Sequence, residues 1–204
     1  MKSPKPAVFE FKISLKDITP TIWRRFQVKS NITLEELHVV LQIVMGWTDS
    51  HLHSFTFSGT QYSWAEEQCE LDECNMKDET GIKLYTLIHA PKDSFIYDYD
   101  FGDDWKHNVL LERVLPVERG VYYPRCLDGK RACPPEDCGG SGGYDEIMNA
   151  IKNPENPEYK EIYDWISDDT GKVLYEPEKF DVETINKILC GEINWVTLLK
   201  SMHE

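Results

Sequence analysis

Residues 97–114, YDYDFGDDWKHNVLLERV, gather four aspartates, four aromatic residues and a histidine around one glycine. Carboxylates and imidazole are the groups that bind divalent metals or move protons near neutral pH. The same residues also make a good β-hairpin. Upstream, His51 and His53 are separated by one residue, with Asp49 close by. At strand spacing both rings point to one face, a geometry that can hold a metal, with a surface or interface pair as the plainer reading. Downstream, RCLDGKRACPPEDCGGSGGYDEI (125–147) carries Cys126, Cys133 and Cys138. Their spacing is not the paired C-x-x-C of a zinc knuckle, so zinc would need a fourth ligand such as His107, His51 or His53. Buried or loosely exposed thiols are the alternative.

The glycines of this last stretch have two readings. Gly139 and Gly140, just ahead of the helix that Tyr144 enters, could present amides to an anion. The run lacks the Gly-Lys-Ser/Thr ending of a phosphate loop. Alternatively, the glycines let the loop pass closely over the hairpin. Glu136 and Asp137 would then join Asp103 and Asp104, the one place where carboxylates could cluster.

Burial sets the hairpin register. A two-residue loop at Gly102-Asp103 opposes aromatic residues to polar ones. A three-residue loop, Gly102 to Asp104, pairs Phe101 with Trp105, Tyr99 with His107 and Tyr97 with Val109, and one face becomes apolar throughout. Asp98 and Asp100 then lie on the face opposite His107, so these three do not converge. Asp103 and Asp104 are turn residues. His107 reads first as a partly buried ring beside Tyr99, and second as a ligand or proton carrier.

These groups need a scaffold. AVFEFKISL (7–15) alternates as a half-buried strand, TIWRRFQV (21–28) is a second, and KDITP turns between them. NITLEELHVVLQIVMGW is the strongest helix. Thr33 and Glu36 form a capping box, Leu34, Leu37, Leu41 and Val44 make its apolar stripe, and Gly46 stops it. HLHSFTFSG (51–59) reads as a strand, 64–80 as an exposed acidic loop, and 82–88 as a short helix. Residues 115–143, with four prolines and six glycines, read as a long irregular connection. YDEIMNAIKN, PEYKEIYDWIS and FDVETINKILC are helices, the last capped by Asp181.

A chain of 204 residues, 41% hydrophobic, suits one domain with an ample core. No apolar run reaches the length of a membrane helix, and no signal-peptide region opens the chain. The expectation is a cytoplasmic protein away from membranes, with six free cysteines and no disulfide. The formal charge of −14 opposes nucleic acid and anionic surfaces. Residues 1–30 hold seven basic residues against two acids, and the remainder is −19. A local basic patch is therefore conceivable, with a solvated strand face as the plainer reading.

Three stretches in order, MGWTDSHLHSFTFSGTQY (45–62), YDYDFGDDWKHNV (97–109) and CPPEDCGGSGGYDEI (133–147), resemble the plasmid pRiA4b ORF-3-like family. Its members are often labelled insertion-sequence passenger proteins. The resemblance spans about residues 7–190. It implies an α+β fold, a rolled antiparallel sheet packed against helices, in a single domain (1–204) with a helical C-terminal part. It also implies an association with plasmids or mobile elements, but no settled activity. Recombinase chemistry does not fit. Six arginines in all, only Arg24 and Arg25 adjacent, make neither a serine-recombinase arginine cluster nor an Arg-His-Arg site. Two functions remain. One is a non-enzymatic binding or accessory module, its recognition surface drawn from His51, His53, Asp103, Asp104, Trp105, His107, Glu136, Asp137, Gly139, Gly140 and Tyr144. Its partner would be a protein or small ligand, without strong binding to duplex DNA. The alternative is a metal-dependent hydrolase or nuclease using His51, His53, Asp103, Asp104, Glu136 and Asp137. What separates them is whether these groups meet in a cleft, since an enzyme needs several of them within a few ångströms.

Overall fold

The computed structural model describes residues 7–64, 76–167 and 171–194. One open eight-stranded sheet carries the chain, in the order β5-β4-β3-β6-β7-β1-β2-β8. The strands are β1 (Ala7–Leu15), β2 (Trp23–Lys29), β3 (His53–Phe57), β4 (Thr60–Ser63), β5 (Lys77–Asp78), β6 (Ser94–Tyr99), β7 (Trp105–Pro116) and β8 (Arg125–Lys130). All pairings are antiparallel except β4 with β5. The helices are α1 (Leu34–Met45), α2 (Gly140–Lys152), α3 (Lys160–Trp165) and α4 (Val182–Leu189). This is the expected α+β class with helices gathered towards the C-terminus. No helix among the described residues is long and apolar enough to cross a membrane.

Helix α1 forms for the reasons its sequence states. The Thr33 hydroxyl accepts from the Glu36 amide while the Glu36 carboxylate accepts from the Thr33 amide, and Gly46 closes the helix at φ 100°. Its last carbonyls find an unexpected partner. Buried Arg24 donates to the Val44 and Met45 carbonyls at 2.8 and 3.4 Å, and its guanidinium lies over the Phe180 ring. Arg25 pairs with Glu112 at 2.6 Å, beside the bulge that shifts β1 against β7 between Glu10 and Phe11. The adjacent arginines are thus structural, which removes the centre of any basic patch in residues 1–30.

Several expectations need correcting. In the hairpin, Tyr99 pairs with Trp105 and Tyr97 with His107, so the loop is Asp100 to Asp104 and the register differs by two residues. Asp100 leaves the strand in the left-handed region at φ 57°. Its Oδ1 accepts from the Gly102 and Asp103 amides at 2.9 and 3.3 Å, an Asx-type turn that ends the ladder early. The shift of two preserves the faces: Tyr97, Tyr99, Trp105, His107 and Val109 are all buried, but Phe101 is left half exposed. Strand β3 starts at His53 rather than His51. Residues 82–88 hold only a 3-10 turn, Leu84–Thr86. Strand β8 lies within the stretch expected to be irregular, because pairing with β2 outweighs the weak strand propensity of Asp128 and Gly129. Most of the expected acidic loop, 65–75, with Cys69 and Cys74, lies outside the described residues.

Candidate metal centre

Three connections meet at the turn end of the β6–β7 hairpin. The first is the α1–β3 connection, residues 46–52. Trp47 is buried and its indole N–H donates to the Pro134 carbonyl at 3.1 Å. That bond brings the second connection, 133–139, alongside. The third is the hairpin turn, 100–104. The glycine run explains how closely they pack. A Cβ on Gly140, at φ 67°, would lie 2.6 Å from the Asp103 carbonyl oxygen, and one on Gly143 would lie 1.7 Å from that of Cys138. The Gly139 amide donates to Asp103 Oδ2 at 3.2 Å, so the chain's own carboxylate takes the place of an external anion.

At the junction, His51 Nε2 faces three carboxylates. Asp137 Oδ1 is 3.2 Å away, Asp100 Oδ2 3.7 Å and Glu136 Oε2 3.9 Å. Ligand atoms of His51, Asp100 and Asp137 all lie within 4.8 Å of one another. His51 Nε2 and Glu136 Oε2 are both buried and lack a hydrogen-bond partner, the 3.2 Å approach to Asp137 lacking hydrogen-bonding geometry. Buried polar atoms are rarely left so.

The other carboxylate oxygens are held in place. Glu136 Oε1 accepts from the Thr48 amide at 2.8 Å, the Thr48 hydroxyl at 2.9 Å and the Tyr99 hydroxyl at 3.0 Å. Tyr99 accepts in turn from the Ser50 amide at 3.1 Å. Burial, reinforced by the Glu136 carboxylate, pushes the Tyr99 phenol far up, so it remains a donor. Asp100 Oδ1 is fixed by the turn amides. Asp100 and Asp137 thus each bring a free oxygen to a mutual cluster with His51, and Glu136 turns its free Oε2 to His51 from the side. Asp137 faces solvent with 75% of its side chain exposed.

Asp49, between Thr48 and Ser50, belongs to a closed ring of hydrogen bonds behind the site. Its carboxylate meets His38 Nε2 at 2.6 Å, and its amide donates to Gln42 Oε1 at 2.9 Å. Gln42 Nε2 donates to the Tyr97 hydroxyl at 2.8 Å, which meets His38 Nδ1 at 2.8 Å. Gln42 and His38 lie one turn apart on α1, so two successive helix positions clamp one residue. Burial lowers the His38 pKa, with the Asp49 hydrogen bond opposing. Neutral His38 accepts from Tyr97 and donates to Asp49, which satisfies both imidazole nitrogens.

The expected candidates divide. His51, Glu136 and Asp137 enter the cluster, and Gly139 and Gly140 shape it. Asp103 supports it through Gly139, while Asp104 pairs with Lys106 on the outer side. His53 does not share a site with His51. Its ring stacks on His38 at 3.5 Å between centroids, and its Nε2 meets both oxygens of buried Glu79 at 3.2 Å. The strand starts only at His53, so the two rings do not obey strand alternation. Trp105, His107 and Tyr144 are 0–2% exposed and belong to the core, not to a surface. His107 lies beside Tyr97 and Trp47, and burial pushes its pKa down to about 4. Among the described residues, Cys126, Cys133 and Cys138 form no ligand cluster. All four described cysteines are free. Burial raises Cys126 to about 11 and Cys133 and Cys138 to about 12, which disfavours the thiolate a metal needs.

Asp100 is the member that sequence reading placed wrongly. The available signal was Asp100-Phe101-Gly102: an aspartate two residues ahead of a turn glycine can cap its own turn and tolerate the left-handed region.

An open α+β sheet with a histidine–carboxylate cluster where three loops meet is the class of protein these features define. Residues 7–184 match the family model described as plasmid pRiA4b ORF-3-like protein, and the chain belongs to that family. It is 34% identical over 185 residues to uncharacterized protein y4hQ of Sinorhizobium fredii (strain NBRC 101917 / NGR234), covering 89% of this chain and 90% of that one. The crystal structure of protein of unknown function MM3350 from Methanosarcina mazei Go1 superposes with a TM-score of 0.75 at 37% identity. That match covers 88% of this chain and 98% of the other.

Proposed function

We propose that this protein is a binding module for a divalent transition-metal ion, held by His51, Asp100, Glu136 and Asp137. One observation carries the reading. Two buried ligand-type atoms, His51 Nε2 and Glu136 Oε2, lie 3.9 Å apart with no hydrogen-bond partner, and His51 Nε2 also faces Asp137 and Asp100 at 3.2 and 3.7 Å. Ligands about 2.0–2.2 Å from a metal lie about 3 Å from one another. The His51, Asp100 and Asp137 atoms, now within 4.8 Å of one another, would therefore draw in around an ion, and the Glu136 carboxylate would move towards it to complete the shell. One imidazole and three carboxylates suit manganese, iron or zinc better than soft copper(I). The Tyr99 and Thr48 hydrogen bonds to Glu136 orient a ligand as outer groups do in metal sites.

A second reading, metal-dependent hydrolysis, has its own support. Asp137 also lines a cavity of about 140 Å³ with Ile147, Ile162 and Trp165, between α2 and α3. A substrate group seated there would adjoin the metal's exposed side, where a bound water could be activated. Elemental analysis of purified wild-type and His51→Ala protein tests the binding reading. About one equivalent of a transition metal in the wild type and a large loss in the variant are expected; equal content in both would refute the assignment.

A further inference from the structure

A second site lies on the opposite flank of α1, and nothing in the metal reading uses it. A cavity of about 490 Å³ opens between α1, the end of β2, the segment before the 3-10 turn, Tyr123–Pro124 and α4. That volume lies in the range of small-molecule pockets, about 300–1,000 Å³. Its floor is apolar: Val28, Val40, Ile43 and Leu189 are each 0–8% exposed. Val39, on the same wall, is left 38% exposed in the middle of a helix.

The walls are fixed by backbone. The Leu34 amide donates to the Ile82 carbonyl at 3.0 Å, Leu84 to Ile32 at 2.9 Å and Tyr85 to Ser30 at 3.0 Å. This pairing places Lys83 on the same cavity as Lys29. Neither lysine forms an ion pair among the described residues. The one acid on the lining is Glu36, whose Oε2 is committed to the Thr33 amide. Behind the wall, Arg125 lies over the Tyr123 ring at 5.4 Å. On a chain of charge −14, this cavity is a local exception. Its lining carries two lysines against one glutamate, over an apolar floor.

We propose that the cavity binds a small amphipathic monoanion, a carboxylate carried on a medium-length aliphatic body. The carboxylate would meet Lys29 and Lys83, and the body would cover Val39 and the apolar floor. Charge selects the class. A neutral amphiphile would gain no attraction from the two hydrated ammonium groups, and a cationic one would be repelled.

The test is calorimetric titration of the full chain with decanoate, decanol and decylamine. Saturable one-to-one binding of decanoate is expected, with decanol at least several-fold weaker and decylamine weaker still. Val39→Trp fills the mouth from an exposed position and is expected to abolish binding while circular dichroism remains unchanged. Lys29→Gln with Lys83→Gln is expected to weaken decanoate about ten-fold, some three-fold for each partly exposed lysine, and to leave decanol unchanged. Absence of saturation with decanoate, equal affinity for decanol, or full binding by Val39→Trp would each overturn the proposal.

Discussion

Replacing Asp100 by Asn separates the metal reading from a purely structural one, because it predicts opposite signs with and without metal. Asn tolerates the left-handed backbone that Asp100 adopts at φ 57°, and its carbonyl can still accept from the Gly102 and Asp103 amides. What it removes is a charge. Asp100 is 6% exposed and its free oxygen lies within 4.8 Å of that of Asp137. At that separation and an effective dielectric of about 20, the repulsion is about 3 kcal/mol, falling towards about 1 kcal/mol where solvent screens Asp137. Weakening two charge-assisted amide bonds costs about 1 kcal/mol in return. Relief of the buried carboxylate's desolvation adds to the gain, and the net is about 1 kcal/mol of extra stability in chelator. Metal reverses the order. An ion at about 100 times its dissociation constant stabilises the wild type by about 2.7 kcal/mol. Loss of a ligand that weakens binding 10- to 100-fold leaves only about 0.4–1.4 kcal/mol at the same concentration. Urea denaturation in chelator and in excess manganese measures both differences. A variant less stable than wild type in chelator, yet equally stabilised by manganese, would refute the reasoning.

His107, buried and neutral with its pKa near 4, binds its proton more readily in the unfolded chain. Stability is therefore full above the unfolded value of about 6.5 and falls as pH drops towards 4, by about 2 kcal/mol at pH 5. Denaturation midpoints across this window test it, and His107→Leu should flatten that part of the profile. In the glycine run, Gly142→Ala meets nothing within 4 Å and should be neutral or slightly stabilising. Gly140→Ala and Gly143→Ala strike backbone oxygens and should each cost about 2 kcal/mol or more by thermal melting. Labelled duplex DNA should bind no tighter than micromolar at physiological salt without metal, since Arg24 is buried and Arg25 paired. Submicromolar affinity would contradict this.

Local chemistry was readable where one segment decides it. The capping box of α1, its Gly46 stop and the Asp181 cap all follow from a few adjacent residues. The faces of the hairpin followed from alternation, and its register did not, because alternation is blind to a shift of two. The sequence also suggested that the glycine run passes over the hairpin and brings Glu136 and Asp137 to its turn. It could not separate His51 from His53, which depends on where β3 begins. Nor could it place Arg24 and Glu79 inside, since their partners, the α1 carbonyls and His53, are distant in the chain. Strand β8 escaped notice for the same reason: its case rests on β2 beside it, not on its own residues.

The central claim, that His51 and its three carboxylates hold one divalent ion, is tested most directly by pulsed electron paramagnetic resonance. Manganese would be added at one equivalent to chelator-treated protein carrying ¹⁵N-labelled histidine. The account predicts a single bound ion with one directly coordinated imidazole nitrogen, and loss of that coupling in His51→Gln. Manganese that stays free at one equivalent, or a histidine coupling that persists in His51→Gln, would contradict it.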